Sequence, residues 1–160
     1  MNPHDEWLCH FAMIIDLLKM KQEGLHSAEF NFEYSAPEEL IISLPDAQFK
    51  GAVEVNAFVT LDGKDVYADI DLNYVISCAC SRCLESAEGK VNHSFSAKFS
   101  LYEEEGAYLY KSGKIDLTLC VNEEIIISQP TVIYCKDDCK GLCPVCGANL
   151  NHGDCGHGNI

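Results

Sequence analysis

The segment CKDDCKGLCPVCGANLNHGDCGH, residues 135 to 157, places five cysteines and two histidines in twenty-three residues. It is rich in Gly, Asn and Asp and shows no apolar periodicity, so it cannot fix its own shape by burying a hydrophobic face and needs another constraint. Cys143-Pro-Val-Cys146-Gly147 reads as a knuckle. Its two-residue spacer sets both sulfurs on one side of a tight turn, and Gly147 lets the backbone close beneath a metal. Zinc takes four such ligands at tetrahedral corners, so a second pair must come from elsewhere. Cys135, Cys139, Cys155 and His157 are the neighbours available.

A second cluster, CACSRC, spans residues 78 to 83. Cys80-Ser-Arg-Cys83 repeats the two-residue spacer. Alone it could be a metal pair, a redox dithiol or two small buried residues at a strand end. The redox reading lacks the strand-to-helix setting of a thioredoxin-like motif. With Cys9, Cys78 and Cys120 set aside as isolated or strand-embedded, seven cysteines and His157 remain, which fills two tetrahedral sets. The expected sites are Cys80, Cys83, Cys135 and Cys139 in one, and Cys143, Cys146, Cys155 and His157 in the other. The first would staple the tail to the rest of the chain. The simpler alternative is one zinc on Cys139, Cys143, Cys146 and Cys155, leaving Cys80 and Cys83 free. Neither arrangement leaves an open coordination position, so the zinc reads as structural.

Arg82 is the chain's single arginine and lies inside the first knuckle. In the two-site arrangement it falls near Lys136 and Lys140 as a basic spot for a phosphate or carboxylate on a partner. The alternative is that it neutralises thiolate charge or pairs with a nearby carboxylate. His93 reads as a sheet residue, His152 at best as a substitute ligand, and His4, His10 and His26 show no ligand spacing. There is no glycine-rich phosphate loop, nucleophile elbow or H-E-x-x-H helix, so no enzyme is expected. The run Glu103-Glu104-Glu105 reads as a solvated loop without a positioned partner.

The net charge of -14 argues against general nucleic-acid binding, which draws on Lys and Arg. It suits a basic protein partner, or serves only solubility. The longest near-apolar run, Leu8 to Leu18, is too short to span a membrane and lacks a signal-peptide pattern, so a cytoplasmic location is expected, where ten cysteines favour metal over disulfides.

At 160 residues the chain suits one main domain with a small appendage. Residues 1–12 read as an extension, with Met13 an alternative start, and Trp7, Leu8, Phe11, Ile14, Ile15 and Leu18 predict an amphipathic helix over 5–20. Residues 13–130 form the expected antiparallel β domain and 131–160 the cysteine-rich zinc-binding tail. Val53, Val55, Ala57, Val59 and Leu61 alternate with polar neighbours; Asp62-Gly63 supplies a hairpin turn; Val66, Ala68, Ile70, Leu72, Tyr74 and Ile76 continue the alternation. Val91 to Leu101 gives a third strand, and Ile115, Leu117, Leu119 and Val121 another candidate. The following NEEIIISQP reads as a short helix or a strand stopped by Pro130. The fold class is mainly β (α+β), an antiparallel curled sheet or partly open barrel with short helices.

CSRCL at 80–84, KIDL at 114–117 with NEEIIISQP, and the tail together resemble the YceD-type proteins, the large ribosomal RNA subunit accumulation family. MIIDLL near the start and FKGAVEVNAFV before the hairpin resemble that family's opening. The resemblance implies a non-enzymatic factor for 23S ribosomal RNA synthesis or processing and large-subunit assembly in bacteria. It implies recurring cysteines at Cys80, Cys83, Cys139, Cys143, Cys146 and Cys155. His157 stands where a cysteine is commoner, and the chain ends soon after it. The expected partner is a pre-ribosomal large-subunit particle, reached through a basic ribosomal protein or processing enzyme, with minor RNA contact and no membrane or small-molecule substrate. The competing readings are a zinc-ribbon adapter and a thiol redox sensor using Cys80 and Cys83.

Overall fold

An alternation of period two, sustained over long stretches, decides the architecture. The computed structural model describes residues 12–157. The elements in chain order are β1 (Ile14–Asp16), α1 (Leu17–Gln22), β2 (Ser27–Tyr34), β3 (Gln48–Phe49), β4 (Val53–Asp62), β5 (Asp65–Ala79), β6 (Ser86–Ser100), β7 (Tyr108–Leu109), β8 (Lys114–Asp116) and α2 (Thr118–Ser128), with one 3-10 turn at Glu38–Leu40. Strands dominate, helices are few, and the main sheet is open. Its order is β2-β4-β5-β6-β7, with β3 pairing β5; β1 and β8 form a separate two-stranded ribbon. All pairings are antiparallel except the short β6–β7 pair.

In β5 every second residue from Val66 to Cys78 is buried, while Tyr67, Asp69 and Asp71 face solvent. Register carries that pattern to both neighbours: Ile70 pairs with Ala57 of β4 and Phe95 of β6, and Asp71 with Asn56 and Ser94. Each fully buried Val, Leu or Ile is worth about 1.5–3 kcal/mol, so a one-residue slip that exposed this face would be prohibitive. The β4–β5 hairpin closes with Asp62 opposite Asp65, so its two loop residues are Gly63 and Lys64 rather than Asp62 and Gly63. Gly63 takes a φ of 61°, the left-handed value that a tight hairpin needs at its first loop position.

Helix α2 covers the apolar face with Cys120, Val121 and Ile125, and Val121 and Ile125 follow buried Leu117 at intervals of one turn. Polar contacts fasten it: Tyr34 donates to Asn122 Oδ1 at 2.9 Å, His93 Nε2 lies 2.7 Å from Glu124 Oε2, and the Tyr74 hydroxyl is 2.9 Å from Ser128 Oγ. Just past the helix the buried Gln129 side chain donates to the Leu40 carbonyl and accepts from the amides of Ile42 and Ser43 at 3.0 and 3.2 Å.

Three expectations are corrected here. The apolar residues of 14–20 do not form one helix: Ile14 to Asp16 is a strand against 114–116, and the Asp16 side chain caps α1 by accepting from the amides of Leu18 and Lys19. Ile15 is buried and Leu18 exposed, as strand and helix geometry dictate; Trp7, Leu8 and Phe11 lie outside the described residues. The strand read from Ile115 to Val121 stops at Asp116, whose carboxylate accepts from Thr118 N at 2.9 Å and turns the chain into α2. The carboxylate run has a partner after all, because Lys98 pairs with Glu104 and with Asp65. Among the described residues no helix is long and apolar enough to cross a membrane.

Gln129→Leu would orphan one carbonyl and two amides. It is expected to lower unfolding free energy by about 1–3 kcal/mol in urea titrations, with the slope unchanged.

Candidate metal centre

The first knuckle is the loop that joins the two longest strands. β5 ends at Ala79 and β6 begins at Ser86, and between them Leu84 N donates to the Cys80 carbonyl at 3.0 Å while Cys80 N donates to the Glu85 carbonyl at 2.7 Å. The second knuckle closes the same way: Gly147 N donates to the Cys143 carbonyl at 2.8 Å, and Cys143 N to the Ala148 carbonyl at 2.8 Å. Both turns need a left-handed residue right after their second cysteine. Gly147 supplies it with a φ of 74° and Leu84 with a φ of 64°. The glycine does so at no steric cost, whereas the conformation costs a bulky residue on the order of 1–3 kcal/mol.

The tail reaches the first knuckle through its backbone. Ser81 N donates to the Ile133 carbonyl at 2.8 Å and Ile133 N to Ser81 Oγ at 3.1 Å. Ile133 packs over Gly89 of β6, where a Cβ would lie 2.6 Å from Ile133 Cδ1, so the missing side chain is what admits the tail. Gly141, with a φ of 73°, lets the chain pass close to the Arg82 carbonyl.

This docking gathers the thiols. The ligand atoms of Cys80, Cys83, Cys135 and Cys139 all lie within 4.8 Å of one another, and so do those of Cys143, Cys146, Cys155 and His157. Cys80 and Cys139 are 3.8 Å apart at sulfur, and Cys83 and Cys135 3.5 Å. A disulfide would need about 2.05 Å, whereas a tetrahedral zinc with bonds of about 2.3 Å sets its sulfurs about 3.8 Å apart. The donor sets therefore fit a tetrahedral, thiophilic ion. Cys139 belongs with the first group, away from the single set of Cys139, Cys143, Cys146 and Cys155.

Electrostatics point the same way. Burial raises the Cys80 thiol, but the backbone N–H groups of Cys83, Arg82 and Cys135 outweigh it and bring it down to about 6. Cys139 is lowered, chiefly by a hydrogen bond from Asn151. Cys135 is pushed up to about 12 by burial and by the neighbouring thiols. In the second cluster the amides of Cys146 and Val145 bring Cys143 down to about 6, while Cys155 rises against it. Four thiolates so close cannot coexist without a cation. A bound divalent ion would remove the conflict.

The two groups differ in exposure. Cys80, Cys83 and Cys139 are buried and Cys135 half-buried; Cys143 is buried, but Cys146 and His157 are exposed. The first is called the inner site and the second the outer site below. Arg82 is exposed, but its guanidinium is engaged within the chain: it donates to the Cys139 carbonyl at 3.2 Å and stacks 4.2 Å over the Tyr134 ring, a cation–π arrangement. Lys136 faces Asp138 at 3.8 Å, and Lys140 donates its backbone amide to Asn151. His152 is no ligand in either group; its Nε2 lies 2.5 Å from Glu85 Oε1. Sequence reasoning missed Asn151 and Glu85, since short-range spacing says nothing about which amide or carboxylate a loop delivers.

Residues 68–159 match the model of a family described as large ribosomal RNA subunit accumulation protein YceD. A protein of Mycobacterium leprae (strain TN), titled only as uncharacterized, is 32% identical over 79 residues, covering 44% of this chain and 36% of its own length. The chain thus spans about a third of the length of the curated relative it matches. No solved structure matches.

Leu84→Gly removes a left-handed leucine whose side chain is largely exposed, so little packing is lost and backbone strain is relieved. Its thermal midpoint is expected to stay level or rise, whereas Gly147→Leu should lose roughly 1–2 kcal/mol. A fall of several degrees for Leu84→Gly would contradict the equivalence of the knuckles.

Proposed function

Given that the chain belongs to the YceD family of large ribosomal RNA subunit accumulation proteins, we propose that it is a non-enzymatic cytoplasmic factor for 23S ribosomal RNA synthesis or processing and large-subunit assembly. The family match carries this reading, because it runs from β5 through both cysteine groups and so covers the surface that the metal sites build. In this proposal residues 13–130 are the β domain and 131–160 a tail that two zinc ions hold in place. The inner ion would be bound by four thiolates and the outer by three thiolates and His157. Both would be structural, their chemistry being to neutralise and orient thiolates rather than to activate a substrate.

The partner is a pre-ribosomal large-subunit particle, contacted through a basic ribosomal protein or processing enzyme. Net charge favours that choice over bare RNA: -14 before metal, with two more negative charges for a loaded inner site and one for the outer. The exposed strand face adds to it, with Glu29, Glu33, Glu54, Asp69 and Asp71 all pointing to solvent. Arg82, Lys136 and Lys140, all exposed, are the proposed contact for a partner carboxylate or phosphate.

Cells lacking the protein are expected to show a lowered ratio of large to small ribosomal subunits in sucrose gradients. A tagged copy is expected to travel with large-subunit precursors at low salt. A normal subunit ratio, with the tagged copy absent from every precursor fraction, would contradict the proposal.

A further inference from the structure

Asn151 belongs by sequence to the outer site, in the loop between Cys146 and Cys155, yet its side chain serves the inner one. Its Nδ2 donates to Cys139 Sγ at 3.4 Å, and its Oδ1 accepts from Lys140 N, the next amide along, at 2.9 Å. The same loop holds itself in shape: Asn151 N and Nδ2 both donate to Asn149 Oδ1 at 2.9 Å, and Leu150 N donates to the Gly141 carbonyl at 2.9 Å. His152, next in sequence, pairs with Glu85 two residues beyond Cys83. One short loop, closed at both ends by outer-site ligands, thus delivers an N–H to an inner-site sulfur and a second contact to the inner knuckle.

From this we infer that the two metal sites are energetically coupled, with Asn151 as the positioning residue: outer-site occupancy holds the loop that supports the Cys139 thiolate, so losing the outer ion loosens the inner one. The inference rests on the two-zinc reading above. An N–H aimed at a liganding sulfur takes up part of its charge, and groups in that role are typically worth about 10–100-fold in metal affinity. The coupling is reciprocal by thermodynamic necessity. Exposure gives it a direction in time. The outer site presents Cys146 and His157 to solvent and releases first, while the inner site is closed by buried Cys80, Cys83 and Cys139. The state of the exposed site would thereby reach the joint between tail and sheet. Asn149 and Asn151 have the bland alternative of merely shaping a turn, which predicts no effect on the inner ion.

The test is zinc release from the full-length protein to excess chelator, followed by absorbance, with ion counts by native mass spectrometry. Wild type is expected to carry two zincs, one fast and one slow. Cys155→Ser/His157→Ala should carry one, released about tenfold or more faster than the slow zinc of wild type. Asn151→Asp keeps an oxygen for the Lys140 amide but removes the N–H. It should keep two zincs and speed the slow one. In cobalt-loaded Asn151→Asp the sulfur-to-metal charge-transfer band of the inner site should move to longer wavelength, which a purely turn-shaping role would not cause. Two zincs in wild type with slow release unchanged in both variants would overturn the coupling and leave the zinc reading intact. Fewer than two zincs in gently purified wild type would overturn both.

Discussion

The rest of the arrangement depends on a juxtaposition of four sulfurs contributed by segments more than fifty residues apart. Cys80 and Cys83 come from the β5–β6 connection, Cys135 and Cys139 from the tail, and their thiols meet at 3.5 and 3.8 Å. Four thiolates this close repel one another without a cation, and burial together with the neighbouring thiols pushes the Cys135 thiol up to about 12. With a cation the cluster becomes a crosslink between a sheet that folds on its own apolar pattern and a tail that has none. Every feature nearby serves that joint: Gly89 opens room for Ile133, Ser81 and Ile133 exchange hydrogen bonds, and Arg82 spends its guanidinium on the Cys139 carbonyl and the Tyr134 ring.

The division of labour follows from what each half can bury. Residues 53 to 100 carry enough alternating Val, Ile, Leu and aromatic side chains to hold three long strands in register under α2. Residues 135 to 157 contribute few buried apolar groups besides the cysteines themselves and the partly buried Leu142, so metal–ligand bonds would have to take the place of a core there. The match to the large ribosomal RNA subunit accumulation family covers this joint on both sides.

Strands β4, β5 and β6 were legible because each alternates over ten or more residues. The spacing and number of the cysteines suggest two sets of four candidate ligands, and within each set the ligand atoms lie within 4.8 Å of one another. The short elements were not. Ile14 to Asp16 reads equally well as helix or strand until its partner, Lys114 to Asp116, is known, and β2 hides its alternation of Ala28, Phe30, Phe32 and Tyr34 among residues that carry no turn signal. The turn from β8 into α2 hinges on one carboxylate, Asp116, capping Thr118. Asn151 and Glu85 escaped for a different reason: their partners are set by how the tail folds back on the first knuckle, a long-range event that no local pattern records.

Zinc-edge X-ray absorption on the intact protein, compared with a Cys80→Ser/Cys83→Ser variant, tests the central claim most directly. The account predicts two zincs sharing seven sulfurs and one imidazole nitrogen. The average shell then holds between three and four sulfurs at about 2.3 Å. In the variant the zinc content should fall to one per chain, with three sulfurs and a nitrogen. An unchanged zinc content and shell in the variant, or a wild-type shell dominated by oxygen and nitrogen, would contradict a thiolate joint between sheet and tail.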